Sequence, residues 1–340
     1  MKIVLASALL LLMVSCETVV KNTKLSGPVF GTSYSVLYDS EVNYQPQFDS
    51  LFAVINNSMS TYIPTSDISR INRNEDSLVD THFETVFNTS KNIYKATQGA
   101  FDPTIGALVN AWDFGPGGKI VNLDSLKIDS LMLSVGFNKV QLNNHVLKKP
   151  AGTFIDFNAI AKGYGVDVIG QFLESKNIRN YLVEIGGEIR TRGINAEKQS
   201  PWKVGVEQPH FDGTQSILKG ITVKDEAMAT SGTYRKFKVD ENGNKYAHII
   251  NTETGYPSKT NLLSISVIAS DCMTADAYAT AFKAMGVEGV KTFLKSHPEL
   301  KVFLIFENEQ HEFETLSLNG FSANKNGKSA KNRLTYSNKD

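Results

Sequence analysis

Asp271-Cys272-Met273-Thr274-Ala275-Asp276-Ala277-Tyr278-Ala279-Thr280-Ala281 is the stretch on which the reading of this chain turns. Its small residues have good helix propensity, and Asp276 and Thr280, four apart, project from one helical face. A carboxylate and a hydroxyl on a face of small residues make a hard-oxygen site with room beside it. That suits Mg²⁺, which takes few protein ligands and shares the rest of its octahedral shell between phosphate and water. Taken alone, the segment reads better as a core helix with a capping aspartate. The segments around it decide.

Working outward, Leu262 to Ala269 reads as a strand that feeds this helix, and the helix stops at Gly286. Val287 to Lys295 gives a short amphipathic helix, Val302 to Phe306 a last buried strand, and Phe321 to Asp340 a polar, frayed tail. Upstream, the spacing predicts strands over Val29 to Tyr38, Thr153 to Phe157, Tyr181 to Thr191, Trp202 to Glu207, Ser216 to Val223 and Tyr234 to Val239. It predicts helices over Phe48 to Met59, Phe83 to Thr97, Asp124 to Val135 and Lys162 to Lys176. Glycine and proline in Gly99-Ala100-Phe101-Asp102-Pro103 end the second of these. No repeat and no interior linker interrupts the chain. The mixed order of elements implies an α+β fold of two interleaved halves.

Residues 1–15 read as an export signal: Lys2, then an apolar run too short to span a bilayer. Met13-Val14-Ser15-Cys16 is similar to a bacterial lipobox, with Cys16 as the lipidated first residue of the mature chain. Residues 16–26 then act as a polar tether, 27–310 as the working domain and 320–340 as a tail. Only Cys272 remains besides the anchor, so an internal disulfide is excluded and the core must stabilise the fold. With 35 basic and 35 acidic residues the formal net charge is zero, which argues against a nucleic-acid partner. Membrane contact is expected through the lipid anchor only.

Several polar segments could carry chemistry. Asp156 to Gly165 reads as a strand-to-helix turn whose amides, with Lys162 and two glycines nearby, offer a phosphate seat; a plain β–α connection is an even alternative. Glu184-Ile185-Gly186-Gly187-Glu188 permits close backbone approach by a ligand or another strand, or forms a bulge. Thr230-Ser231-Gly232 groups hydroxyls for oxyanion contact, although a polar hairpin turn is the commoner meaning. His248, ahead of a polar turn, suits a general base or a phosphate-binding imidazole. Tyr62, after a helix, could stack on a flat heterocycle or merely sit at an interface. Asp102 with Trp112 and Phe114 pairs polar atoms with ring surfaces in the same way.

Together these segments resemble the ApbE family of FAD:protein FMN transferases, over about Gly27 to Phe306. The resemblance rests on Gly31-Thr32-Ser33-Tyr34, Ser60-Thr61-Tyr62, Ser69-Arg70-Ile71-Asn72, Gly99 to Thr104, Asp156 to Gly165, Glu184 to Glu188, Ala229 to Arg235, His248 to Pro257 and Thr274 to Thr280. It implies a T-fold-like architecture with FAD in a cleft and Mg²⁺ at the diphosphate. It places the metal at the Ala161 carbonyl, Asp276 and Thr280. Flavin contacts fall on Tyr62, Asp102, Lys162, Glu184, Gly186, Gly187, Thr230, Ser231 and Gly232. His248 and Lys162 become the catalytic candidates, with His248 as base. The partner is an acceptor protein carrying a threonine or serine hydroxyl, and the location is the periplasmic side of a bacterial membrane. An FAD pyrophosphatase and a non-catalytic FAD-binding lipoprotein are the alternatives. One departure from the family pattern is Asn251-Thr252 in place of Asp-Pro, which loses a charge and a rigid turn near His248.

Overall fold

The computed structural model describes residues 21–233, 237–239, 245–310, 312–321 and 331–333. The expected export signal and Cys16 lie outside the described residues. Thr23–Val29 (β1) and Thr32–Tyr38 (β2) form an antiparallel hairpin turned at Phe30 and Gly31, both with positive φ. A two-residue turn with left-handed backbone at both positions matches the twist of its flanking strands. β1 begins inside the stretch expected to be tether. Its residues alternate between half-buried and exposed, so an edge strand here carries little apolar signal.

A helical excursion follows: Gln45–Met59 (α1), Asp67–Asn72 (α2), Thr81–Ala96 (α3), Gly106–Ala111 (α4), Ser125–Met132 (α5) and Ala161–Ser175 (α6). Ser66, Asp80 and Asp124 cap α2, α3 and α5 by accepting the amides of Ser69, Phe83 and Lys127. The chain then returns to the sheet with Tyr181–Ile185 (β3), Glu188–Arg192 (β4), Ala227–Gly232 (β5) and Leu262–Ala269 (β6). Cys272–Phe293 (α7) intervenes before Lys301–Glu307 (β7), Phe313–Leu318 (β8) and Lys331–Arg333 (β9). These nine strands neighbour one another in chain order, and every pairing is antiparallel.

The sheet has a seam. β4 meets β5 only at Arg190–Ala227 and Ile189–Met228, so β1–β4 and β5–β9 are two blades joined by a short ladder. α6 packs on the first blade and α7 on the second, and the two helices touch across the seam. The other face is covered by the ribbon of Lys203–Glu207 with Ile217–Thr222, whose Val204, Val206 and Ile221 meet Met228, Ile268 and Phe303. β6 is buried along its whole length, between the α7 layer and this ribbon.

Four expectations change. Tyr181 to Thr191 is a hairpin, because Gly186 and Gly187 take φ of 59° and 100° and turn the chain back. Thr230–Gly232 is the end of strand β5 and not a turn, each residue paired with β6. Thr153 to Phe157 is no strand: the Asn72 side chain bonds both backbone groups of Ile155 at 2.8 Å and takes the place of a neighbour. The expected tail contains β9, which pairs with β8. The expected break at Gly286 is present: with φ 71° it kinks α7, and the short helix expected beyond it runs on to Phe293.

Candidate functional site

The first turn of α6 and the second turn of α7 meet more closely than side chains allow. A Cβ on Gly163 would sit 2.3 Å from the Cys272 carbonyl oxygen and 2.8 Å from the Asp276 Cβ. Glycine at 163 therefore sets the helix–helix distance. The approach lets the Gly163 N–H donate to Asp276 Oδ2 at 3.0 Å. Asp276 is 5% exposed, and Thr280, half-buried, follows one turn later on the same face. Ala161, the first residue of α6, and Lys162 precede that amide directly.

Lys162 crosses to the first blade, where its Nζ lies 2.5 Å from Glu188 Oε1. Glu188 is almost wholly buried, while about a third of the Lys162 side chain (31%) stays accessible to a ligand. The second carboxylate oxygen, Glu188 Oε2, is buried with no hydrogen-bond partner among the described residues. Burial raises both Glu188 and Asp276 above the usual carboxylate range, with the Lys162 ammonium pulling each back. Burial alone would lower Lys162, but Glu188 and Asp276 outweigh it and hold the ammonium above its ordinary value. One cation against two carboxylates leaves the cluster a net negative charge when all are ionised. An orphaned buried oxygen in such a cluster is costly until it takes up a proton or a cation.

The β3–β4 turn forms the next wall. Gly187 N–H donates to Glu184 Oε1 at 2.9 Å, and a Cβ on Gly186 would fall 2.8 Å from Thr32 Cγ2. Opposite, Thr230 Oγ1 and Ser266 Oγ share a hydrogen bond of 2.8 Å, with Ser231 and Gly232 half-buried beyond. Tyr62 stands at the rim, 59% exposed; the Asn158 side chain reaches Thr61 Oγ1 at 3.5 Å and ties that turn to the loop entering α6. Burial and then the Asp156 charge raise the Tyr62 phenol, so it stays neutral.

His248 and Asp102 belong to a separate set of contacts around α4 and the 251–257 turn. The His248 ring lies 6.2 Å from Phe114, and Trp112 donates to the Gly255 carbonyl at 2.8 Å, joining the α4 end to the 251–257 turn. Asn251 Oδ1 accepts the amides of Glu253 and Thr254, both at 2.9 Å, and Thr252 Oγ1 donates to the Gly99 carbonyl at 2.7 Å. The neutral amide thus closes the turn that a carboxylate and a proline were expected to make. Asp102 is buried and fully used: Oδ1 accepts Thr104 N–H and O–H at 2.8 and 2.6 Å, Oδ2 accepts Phe137 N–H at 3.2 Å. It shapes the loop; among the described residues no hydrogen bond joins it to the Lys162 cluster.

Two residues were missed from the sequence. Glu188 lay inside a quoted motif, but its burial could not be read from alternation. Asp167, 3% exposed, accepts the Cys272 and Met273 amides at 3.0 and 2.8 Å and pairs with Arg190 at 2.8 Å. Those are orphan amides of the first turn of α7, and the charge opposes the positive helix end. Burial pushes Asp167 up to about 6 against the pull of both amides and Arg190. Its signal was an aspartate within the apolar run Gly163 to Gly170.

Among the described residues no three His, Cys, Asp or Glu side chains gather as a metal cage. The donors here fit Mg²⁺ bound with a substrate: one carboxylate, one hydroxyl and a carbonyl, with phosphate oxygens for the rest.

The ApbE family model matches residues 30–304. The FAD:protein FMN transferase of Vibrio cholerae is 38% identical over 83% of this chain and 87% of its own length. The enzyme of that name from Haemophilus influenzae is 33% identical over 94% and 96%. Among solved structures, the flavin transferase ApbE from Vibrio cholerae superposes with a TM-score of 0.78 at 32% identity, covering 87% of this chain and 97% of that one. The apo flavinyl transferase ApbE of Pseudomonas stutzeri gives 0.77 at 26% identity, covering 87% and 94%.

Proposed function

The chain belongs to the ApbE family, and from that premise we propose that it is a FAD:protein FMN transferase. FAD is the substrate, the FMN phosphoryl group passes to a threonine or serine hydroxyl of an acceptor protein, and AMP leaves. The observation that carries the reading is the buried cluster of Lys162, Glu188 and Asp276 at the α6–α7 contact, one ammonium between two carboxylates, with an oxygen that has no hydrogen-bond partner among the described residues.

Asp276, Thr280 and the Ala161 carbonyl would hold Mg²⁺, which neutralises diphosphate charge when bound. Lys162, reachable from the cleft, supplies a second positive charge to the same oxygens. His248 is the proposed base. It takes the proton of the acceptor hydroxyl as that oxygen bonds to the FMN phosphorus, and the bond from that phosphorus to the AMP oxygen breaks. Tyr62 offers a ring face to the isoalloxazine or adenine. Glu184, Gly186, Gly187 and Thr230–Gly232 line the flavin, and Asp102 acts through the loop it holds.

The proposal includes export by residues 1–15 and lipidation at Cys16, tethering the enzyme to the periplasmic face of a membrane. A fatty-acid label should mark the wild type and spare Cys16→Ser; equal labelling would remove the anchor. For the chemistry, the protein is mixed with FAD, Mg²⁺ and a flavin-acceptor domain. Covalent flavin on the acceptor with release of AMP is expected. Free FMN alone would make the protein a pyrophosphatase, and unchanged FAD a binding protein.

A further inference from the structure

α7 carries a second buried charge beyond the site. Lys283 lies seven residues, about 10 Å of helix, past Asp276 and is 1% exposed. Among the described residues its ammonium has one hydrogen-bond partner, Thr260 Oγ1 at 3.0 Å, and no carboxylate within ion-pair distance. Burial alone pushes it down to about 8. An ammonium has three protons to donate, and a buried cation without a counter-charge is costly. Nothing in the proposed transfer uses it.

Thr260 lies between Lys283 and an open space. Besides accepting from Lys283, it lines a cavity of about 490 Å³ together with Lys259, Asn261, Gly286, Glu288 and Lys291. Its own proton has only a long contact, 3.4 Å, to the Lys283 carbonyl. Gly286 opens the wall there, since its φ of 71° breaks the helix. Lys291 is paired with Glu288 at 2.6 Å, and Lys259 is exposed. Phe306 on β7 and Leu316 on β8 close the cavity, so it lies on the far side of β6 from the β3–β4 turn that walls the Lys162 cluster.

We propose that this cavity is a second binding site, for a small oxyanion of the phosphate or carboxylate class. Thr260 donates its hydroxyl proton to the anion, Lys283 supplies the charge behind Thr260, and Lys259 supplies a screened charge at the mouth. An anion there gives the buried ammonium the counter-charge it lacks. The inference stands independently of the flavin reading.

The test is calorimetric titration of the full chain, without FAD, with inorganic phosphate and separately with succinate, in chloride at matched ionic strength. Lys283→Met keeps the length and apolar stem of the side chain and removes the charge. Thr260→Val keeps the shape and removes the hydroxyl. The wild type should bind at least one of the two anions, and each variant should bind it about tenfold or more weakly, the scale of losing a hydrogen bond in a charged pair. Phosphate alone would mark a phosphate site and succinate alone a carboxylate site. No binding by the wild type overturns the proposal. So does unchanged affinity in Thr260→Val or in Lys283→Met, because the anion would then sit elsewhere, for example at the Lys162 cluster. Lys283→Met should also melt no lower than the wild type in chloride, since it deletes an unpaired buried charge.

Discussion

Glu188 shows how one side chain can set the charge of a site without touching a substrate. Its Oε1 holds Lys162 at 2.5 Å while its Oε2 has no hydrogen-bond partner among the described residues, and with both carboxylates ionised the cluster carries one negative charge in excess. Glu188→Gln keeps the shape and removes that excess. Mg²⁺ should then enhance FAD binding less than in the wild type, while FAD binding without metal is kept or improved. Calorimetry with and without Mg²⁺ reads both, and an unchanged enhancement would make Glu188 a packing residue. His248 is a different case, lying beside the Phe114 ring. His248→Ala should leave FAD binding intact and slow transfer by about 10²–10⁴-fold, the usual contribution of a positioned base. A joint fall in binding and turnover would reassign it to ligand contact.

At the scale of elements, the site exists because α6 and α7 come close enough for an amide of one to reach a carboxylate of the other. Gly163→Ala would force its Cβ against the Cys272 carbonyl and Asp276. Overpacking of this kind costs about 1–3 kcal/mol, and the separation should also weaken FAD binding in Mg²⁺. Denaturant melts and FAD titration together test this; an alanine variant as stable and as tight as the wild type would contradict it. What could be read in advance follows the same physics. The Asp276–Thr280 face was legible because helical spacing is rigid, and α1 and α3 because their apolar stripes face a core; the short α2 between them was not. The β3–β4 turn was not, since β-branched and charged residues alternate straight through Gly186-Gly187 and only the positive φ values turn the chain. Thr153 to Phe157 reads as a strand, yet Asn72 satisfies its backbone with a side-chain amide, a partner 83 residues away. β1 and β9 lie at the two edges of the sheet, where half-exposed or polar strands look like linker. Glu188 and Asp167 depend on burial between elements, which no local pattern encodes.

At the scale of the whole molecule, the two blades give each half of the site a separate scaffold. The first brings Glu188 and, through α6, Lys162; the second brings Asp276 and Thr280 on α7, and Asp167 with Arg190 fixes the start of α7 across the seam. A site built this way should bind metal and diphosphate with mutual enhancement, each completing the other's coordination. Asp276 is the only formal negative charge among the three proposed metal ligands. The decisive measurement is therefore FAD titration of wild type and Asp276→Ala, each with and without Mg²⁺, with folding checked by circular dichroism. In the wild type Mg²⁺ should tighten FAD binding, and in the folded variant that tightening should vanish together with flavin transfer to an acceptor. A folded Asp276→Ala protein that kept the wild-type Mg²⁺ dependence and transfer rate would contradict the account.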